Sequence, residues 1–154
     1  MTMQLSSPAF NEGDAVPVKH TADGADKSPE LRWAGAPQNA KSFALVCEDP
    51  DAPRGTWTHW VLFNIPADRT SLAEGLATDK ELPDGSRQGK NDFGKIGYGG
   101  PSPPRGKPHR YYFKVYALDT KLDLAAGATR QQVLDAVKGH VLAEGQLMGK
   151  YGRS

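Results

Sequence analysis

The sequence predicts a mainly β protein that forms one domain over residues 1–154. Three observations carry this prediction. The 17 glycines and 12 prolines among 154 residues mark frequent turns, which favours short strands over long helices. Several segments rich in β-branched and aromatic residues are bounded by those turn residues, as strands are. Helical periodicity is confined to one segment near the C-terminal end.

The composition excludes several classes of function. The chain is 38% hydrophobic and 24% charged, which is typical of a globular domain rather than a disordered one. The net charge of +1 is too balanced for a protein that coats nucleic acid. With Cys47 alone there is no internal disulfide, which fits a reducing compartment. We expect a cytoplasmic protein, since neither a signal peptide nor an apolar run of ~20 residues is present.

The first third of the chain is rich in turns. Asn11-Glu12-Gly13-Asp14 and Ala22-Asp23-Gly24 have typical turn compositions. Short strands are expected between the turns, around residues 16–19 and 30–33.

Three stronger strands follow, at residues 42–48, 59–65 and 109–118. Proline or Asp-Pro bounds each of them. Residues 67–108 are expected to be mostly loop, and a loop of that length in a compact domain is usually functional or disordered.

One helix is predicted, over residues 130–144. Thr129 is a suitable N-cap, and Gln132 stands where a capping box places its return partner. Valines at 133, 137 and 141 repeat every four residues and give the helix an apolar face. Gly145 is expected to form the left-handed cap that ends it.

Polar residues extend the apolar face of each strong strand. Because side chains alternate along a strand, Asp49, His59 and His109 each continue such a face. The apolar members, strand by strand, are Phe43, Leu45 and Cys47; Val61, Phe63 and Ile65; and Tyr111, Phe113, Val115 and Ala117. If the first two strands pair in antiparallel fashion, Asp49 and His59 lie at the same end. We therefore expect all three polar residues to meet under the long loop.

Other chemistries for these residues are less well supported. Two histidines and an aspartate can bind a metal, but positions 49, 59 and 109 contain no short metal-binding motif, so no metal and no cofactor are expected. Ser102 lies between prolines and not in the Gly-x-Ser-x-Gly turn of hydrolases. An Asp–His pair that activates water leaves weak hydrolysis open as an alternative.

The sequence resembles the phosphatidylethanolamine-binding proteins, and most of all their small bacterial Raf-kinase-inhibitor-like members. The resemblance runs from Ser28 to Ala143. Four motifs carry it: DPDAP at 49–53, WTHW at 57–60, GYGGPSPP at 97–104 and PHRYYF at 108–113. Animal members carry a longer segment, with a pocket tyrosine, where this chain has Arg54-Gly55-Thr56. Ser102 stands where bacterial and plant relatives often have cysteine.

The resemblance implies a sandwich of two packed antiparallel sheets with Greek-key connections and a short helix near the C-terminal end. It also implies a small pocket for phosphate-like or carboxylate groups. By motif, the ligand-binding residues are Asp49, Asp51, Trp57, His59, Gly100, Pro103, His109 and Tyr111.

We expect a binding protein for small anionic ligands or phospholipid headgroups, and no catalytic residue is assigned. A protein partner, a regulatory or inhibitor-type role and a homodimer stay open, as does weak hydrolysis in the same pocket. Arg105, Lys107 and Arg110 give the loop beside the pocket a positive charge that could attract an anion or an acidic partner.

Overall fold

The computed structural model describes residues 2–154 and shows a mainly β protein. Its strands form two antiparallel sheets, and one short helix packs on the outer face of the larger sheet. The elements are β1 Gln4–Ser6, β2 Leu31–Ala34, β3 Ser42–Asp49, β4 Trp57–Pro66, β5 Ser71–Leu72, β6 Arg87–Gln88, β7 His109–Leu118, α1 Arg130–Val137 and β8 Val141–Tyr151.

The larger sheet has the strand order β6-β4-β3-β7-β8, and the smaller sheet has the order β1-β2-β5. In the larger sheet β7 returns by a long connection to pair with β3, so β6-β4-β3-β7 is a Greek key. The main core lies between the sheets and includes Trp33, Phe43, Leu45, Trp60 and Phe113. The expected sandwich is therefore confirmed.

β3 is the central strand of the larger sheet, and all eight of its residues are buried. A strand covered on both faces has no polar face, which explains its continuous apolar run. The second face is covered by α1, whose Val133 and Val137 pack against Ala44, Val61 and Phe63.

Two irregularities in the pairing of β3 with β4 correct the predicted faces. The register shifts between Phe43 and Leu45, and again between Cys47 and Glu48. Val61 and Phe63 therefore face α1, whereas Ile65 faces the core between the sheets. The prediction that His59, Val61, Phe63 and Ile65 share one face was wrong. Each bulge inserts one residue into β4, which reverses the alternation of side chains beyond it.

The predicted helix begins as expected, but its predicted end was wrong. Thr129 and Gln132 form the capping box. The helix ends at Val137, and Gly139, with a φ of 81°, supplies the left-handed residue after it. Residues 141–144 belong to β8, where Val141 pairs with Leu118.

Other differences are smaller. The strand expected at 16–19 is instead a 3₁₀ turn, Val18–His20. The strand expected at 30–33 is β2, shifted by one residue. Within residues 67–108, β5 and β6 add one short strand to each sheet. Among the described residues, no helix is both long and apolar enough to cross a membrane.

Candidate functional site

A cavity of about 190 Å³ opens where β3 ends and where β4 and β7 begin. The antiparallel pairing of β3 with both neighbours brings these three ends together. Residues from the long connection before β7 form the other side of the cavity. We call Pro101–Pro104, within this connection, the roof segment. The residues around the cavity are Asp49, Ala52, Pro53, Trp57, His59, Phe93, Ser102, Pro103, Pro104, His109 and Tyr111.

Asp49 and His109 form a buried pair at the base of the cavity. His109 Nδ1 donates to Asp49 Oδ2 at 2.6 Å, and the Asp51 backbone N–H donates to Asp49 Oδ1 at 2.8 Å. The two side chains are only 4% and 10% exposed. Both carboxylate oxygens thus have a donor, as a buried carboxylate requires.

His59 enters the cavity through a bulge in β4. Trp57 pairs with Asp49 and Trp60 pairs with Cys47, which leaves His59 near the point where the register shifts. Its ring lies edge-on to Tyr111, with 5.2 Å between the ring centroids. His59 Nδ1 donates to the Gly99 carbonyl at 2.6 Å. Burial lowers the pKa of His59 below its usual value, against the opposing effect of that hydrogen bond.

The same tautomer follows for both histidines. A carbonyl and a carboxylate accept only, so each Nδ1 carries a proton. In a neutral ring Nε2 is then an acceptor, and in a protonated ring it becomes a donor. With both rings neutral, Asp49 leaves the site with a charge of about −1; with both protonated, the charge is about +1. Protonation therefore decides whether the site attracts or repels an anion.

Two further donors around the cavity have no partner among the described residues. The Tyr111 hydroxyl and the Trp57 indole N–H are buried and make no hydrogen bond. Tyr111 is 1% exposed, and burial is the main cause that raises its pKa well above its usual value. The hydroxyl is therefore a neutral O–H donor.

Two of the sequence-predicted ligand residues lie outside the cavity wall. Asp51 pairs with Arg110 in a two-pronged contact of 2.8 and 2.9 Å, and this contact lowers the pKa of Asp51 to about 2. The Gly100 N–H donates to Asp26, and a Cβ at Gly100 would lie 2.4 Å from the His20 carbonyl oxygen. Asp51 thus supports the wall through Asp49, and Gly100 permits close packing of the loop.

The other six predicted residues, Asp49, Trp57, His59, Pro103, His109 and Tyr111, do line the cavity. Sequence reasoning missed Phe93, which is 40% exposed and packs edge-on against both Trp57 and His59. The signal available in the sequence was an aromatic residue between turn-forming residues, Asp92 and Gly94. Within residues 2–154, no three His, Cys, Asp or Glu side chains are grouped to hold a metal ion.

Comparison with known proteins gives a consistent result. The family model described as phosphatidylethanolamine-binding protein matches residues 6–152. A UPF0098 protein of Methanothermobacter thermautotrophicus is 54% identical over 151 residues, which cover 98% of this chain and 99% of that protein. A UPF0098 protein of Chlamydia muridarum is 44% identical, and the match covers 97% of this chain and 98% of that protein. Relatives thus occur in archaea as well as bacteria, so the likeness to bacterial members does not fix the source.

Two solved structures share the fold. The structure of YbcL from E. coli, described as a new member of the mammalian PEBP family, superposes with a TM-score of 0.92 at 36% identity and full coverage of both chains. That of a phosphatidylethanolamine-binding protein homolog from Chlamydia trachomatis superposes with a TM-score of 0.90 at 40% identity over 99% of each chain.

Proposed function

This chain belongs to the phosphatidylethanolamine-binding protein family, and we propose that its cavity binds the phosphate or carboxylate group of a small molecule or lipid headgroup. The anion lies against Tyr111, Trp57 and the two histidines. The cavity serves binding rather than turnover.

The observation that carries this proposal is the pair of unpartnered donors, Tyr111 O–H and Trp57 N–H. A buried donor without an acceptor costs about 1–3 kcal/mol. An anionic oxygen in the cavity removes that cost and forms a charge-assisted hydrogen bond, which is roughly twice as strong as a neutral one. A cationic or purely apolar ligand leaves both donors unpaired.

The histidines supply the compensating charge. When an anion approaches, protonation of Nε2 in His59 and His109 turns both atoms into donors. Asp49 fixes the orientation of the His109 ring through their 2.6 Å contact. Both oxygens of Asp49 already accept hydrogen bonds from the cavity wall. These donors offset part of the repulsion between the carboxylate and a bound anion.

The size of the cavity limits what enters. At about 190 Å³ it is smaller than the roughly 300–1,000 Å³ of pockets for drug-sized ligands. It admits the charged group, while the rest of the ligand lies outside. Trp57, Phe93 and Pro104 line the cavity and provide apolar contacts for the carbon atoms next to that group.

Calorimetric titration with phosphoethanolamine, inorganic phosphate and acetate tests the proposal. Tyr111→Phe removes one donor to a charged group, so its affinity for phosphoethanolamine should fall about ten- to hundredfold, equivalent to roughly 1.5–3 kcal/mol. Tyr112→Phe is the matched control, because Tyr112 is the next residue of β7 and its hydroxyl contacts Arg110. Equal affinities of Tyr111→Phe and wild type would refute the proposed role of the cavity donors.

A second candidate is weak hydrolysis, which one contact favours. Asp49 orients His109 and would stabilise an imidazolium, so His109 Nε2 in a neutral ring is a suitable general base for a water molecule. Turnover of p-nitrophenyl phosphate or p-nitrophenyl acetate that is abolished by Asp49→Asn would support it. Turnover at the level of the buffer blank leaves binding as the function.

A further inference from the structure

The guanidinium of Arg153 joins two loops beside the cavity. Its Nε and Nη2 donate to the two oxygens of Asp23 at 3.0 and 2.8 Å. Nη1 donates to the Pro103 carbonyl at 2.9 Å, and Nη2 lies 3.4 Å from Ser102 Oγ. One side chain therefore holds the roof segment, Pro101–Pro104, against the loop that contains Asp23.

The roof segment depends on such contacts because of its composition. Three of its four residues are prolines, which have no N–H to donate. Apart from Ser102, its residues can therefore be held by hydrogen bonds only through their carbonyl oxygens, which accept. The Ala22 N–H donates to the Pro101 carbonyl at 3.0 Å, and Arg153 supplies the donor for Pro103.

Asp23 is held in turn by a neighbour of Arg153. The Tyr151 hydroxyl donates to Asp23 Oδ2 at 2.6 Å, and the Gly106 N–H donates to the Arg153 carbonyl at 3.0 Å. Hydrogen bonds from Arg153 and Tyr151 lower the pKa of Asp23, so the aspartate is ionised at neutral pH. Tyr151 and Arg153 thus connect the loop that contains Asp23 with Gly106, which follows the roof segment.

We propose that Arg153 is a positioning residue for the cavity, which fixes Ser102 and Pro103 in the wall against which the bound anion lies. The inference rests on the proposed anion binding. Arg153 does not line the cavity, so it acts through the roof segment. When the two-pronged contact with Asp23 is lost, the roof segment moves and bound anion escapes faster.

Limited trypsin digestion tests the contact without any ligand. The bond after Arg105 lies just beyond the roof segment and in an exposed position. Arg153→Gln should accelerate cleavage there at least about tenfold, since cleavage tracks local opening. The matched control is Arg69→Gln, because Arg69 contacts Asp84 through Nε and Nη2 at 3.2 Å each, away from the roof segment.

Calorimetric titration with inorganic phosphate tests the consequence. Arg153→Gln should bind phosphate roughly tenfold more weakly than wild type, and Asp23→Asn should have a similar effect. Arg153→Lys keeps the charge but lacks the planar fork, so its affinity should stay as low as that of Arg153→Gln. Restoration by lysine would show that charge alone matters and would overturn the proposal.

Thermal unfolding separates this role from a merely structural one. If Arg153→Gln lowers Tm but keeps the wild-type cleavage rate and phosphate affinity, Arg153 only stabilises the chain end and the proposal is wrong. If wild type binds no phosphate, the proposed function fails, while the digestion still decides whether Arg153 holds the roof segment.

Discussion

Each histidine of the cavity has one ring proton fixed by an acceptor in the wall. His59 Nδ1 faces the Gly99 carbonyl, and His109 Nδ1 faces Asp49. The second ring nitrogen is therefore the one that changes its role when the ring takes up a proton. Because burial lowers the pKa of His59, the free protein holds this ring neutral at neutral pH.

Anion binding should therefore be accompanied by proton uptake. The bound anion favours the protonated ring of His59 and raises its pKa. By linkage, affinity is highest below the pKa of the free protein, which for His59 lies below about 6.5, and it weakens as pH rises through the pKa of the complex. Calorimetry with sulfate, which does not titrate in this range, in two buffers of different ionisation enthalpy should show net proton uptake on binding.

The variant His59→Gln removes the titrating ring, so it should reduce both the proton uptake and the affinity. His140→Gln is the control, because His140 is 46% exposed and pairs with Asp119. Proton release, or uptake that is unchanged after His59 is replaced, would contradict the assignment.

Sequence reasoning at this scale was right for Asp49 and His109, because simple alternation places both on the face that reaches the cavity. For His59 the place was right but the reason was wrong. Val61 and Phe63 face the helix, and a bulge brings His59 to the cavity side. A bulge depends on the pairing of two strands, which a single-sequence pattern does not contain.

At the scale of elements, β8 explains where the prediction failed. Val133, Val137 and Val141 repeat with helical spacing, but Val141 already lies in the strand. Two glycines within β8 weaken its strand pattern, since glycine is disfavoured there. They are required by packing: a Cβ at Gly149 would lie 2.6 Å from Val16 and 2.8 Å from Phe10.

Gly145 offers a direct test of this explanation. A Cβ there would lie 2.4 Å from the Met3 carbonyl oxygen, which is backbone and cannot turn aside. Gly145→Ala should lower the free energy of unfolding by about 1–3 kcal/mol, as overpacking does, measured by urea denaturation. Gln146→Ala, at the exposed neighbouring position, should stay within about 0.5 kcal/mol of wild type. A Gly145→Ala variant as stable as wild type would show that the backbone at Met3 does not pack this closely on β8.

At the scale of the whole molecule, turn frequency and strand composition were enough to predict the β class. The antiparallel order of three strands was enough to bring the polar residues to one end. The roof segment could be predicted only as a loop, because its position depends on Arg153 and Asp23, which are 130 residues apart in the chain. Asp51 and Gly100 belong to the family motifs, but neither lines the cavity. Asp51 pairs with Arg110, and Gly100 packs on the His20 carbonyl.

A basic groove beside the cavity is an alternative place for an anion to bind. Lys107, Arg110 and Lys150 line a groove that shares His109 with the cavity. Arg110 is neutralised by Asp51 at 2.8 Å, so the remaining positive charge there is exposed to solvent and screened by salt. The cavity, in contrast, is lined by Tyr111 and Trp57, each of which has a buried donor without a partner.

A crystal structure grown in phosphate at mildly acidic pH shows directly whether the cavity binds an anion. We expect a phosphate in the cavity, with oxygens about 2.7–3.2 Å from His59 Nε2, His109 Nε2 and the Tyr111 hydroxyl. Phosphate bound only at Lys107 and Lys150, or a cavity that holds no phosphate at a concentration saturating in calorimetry, would contradict it.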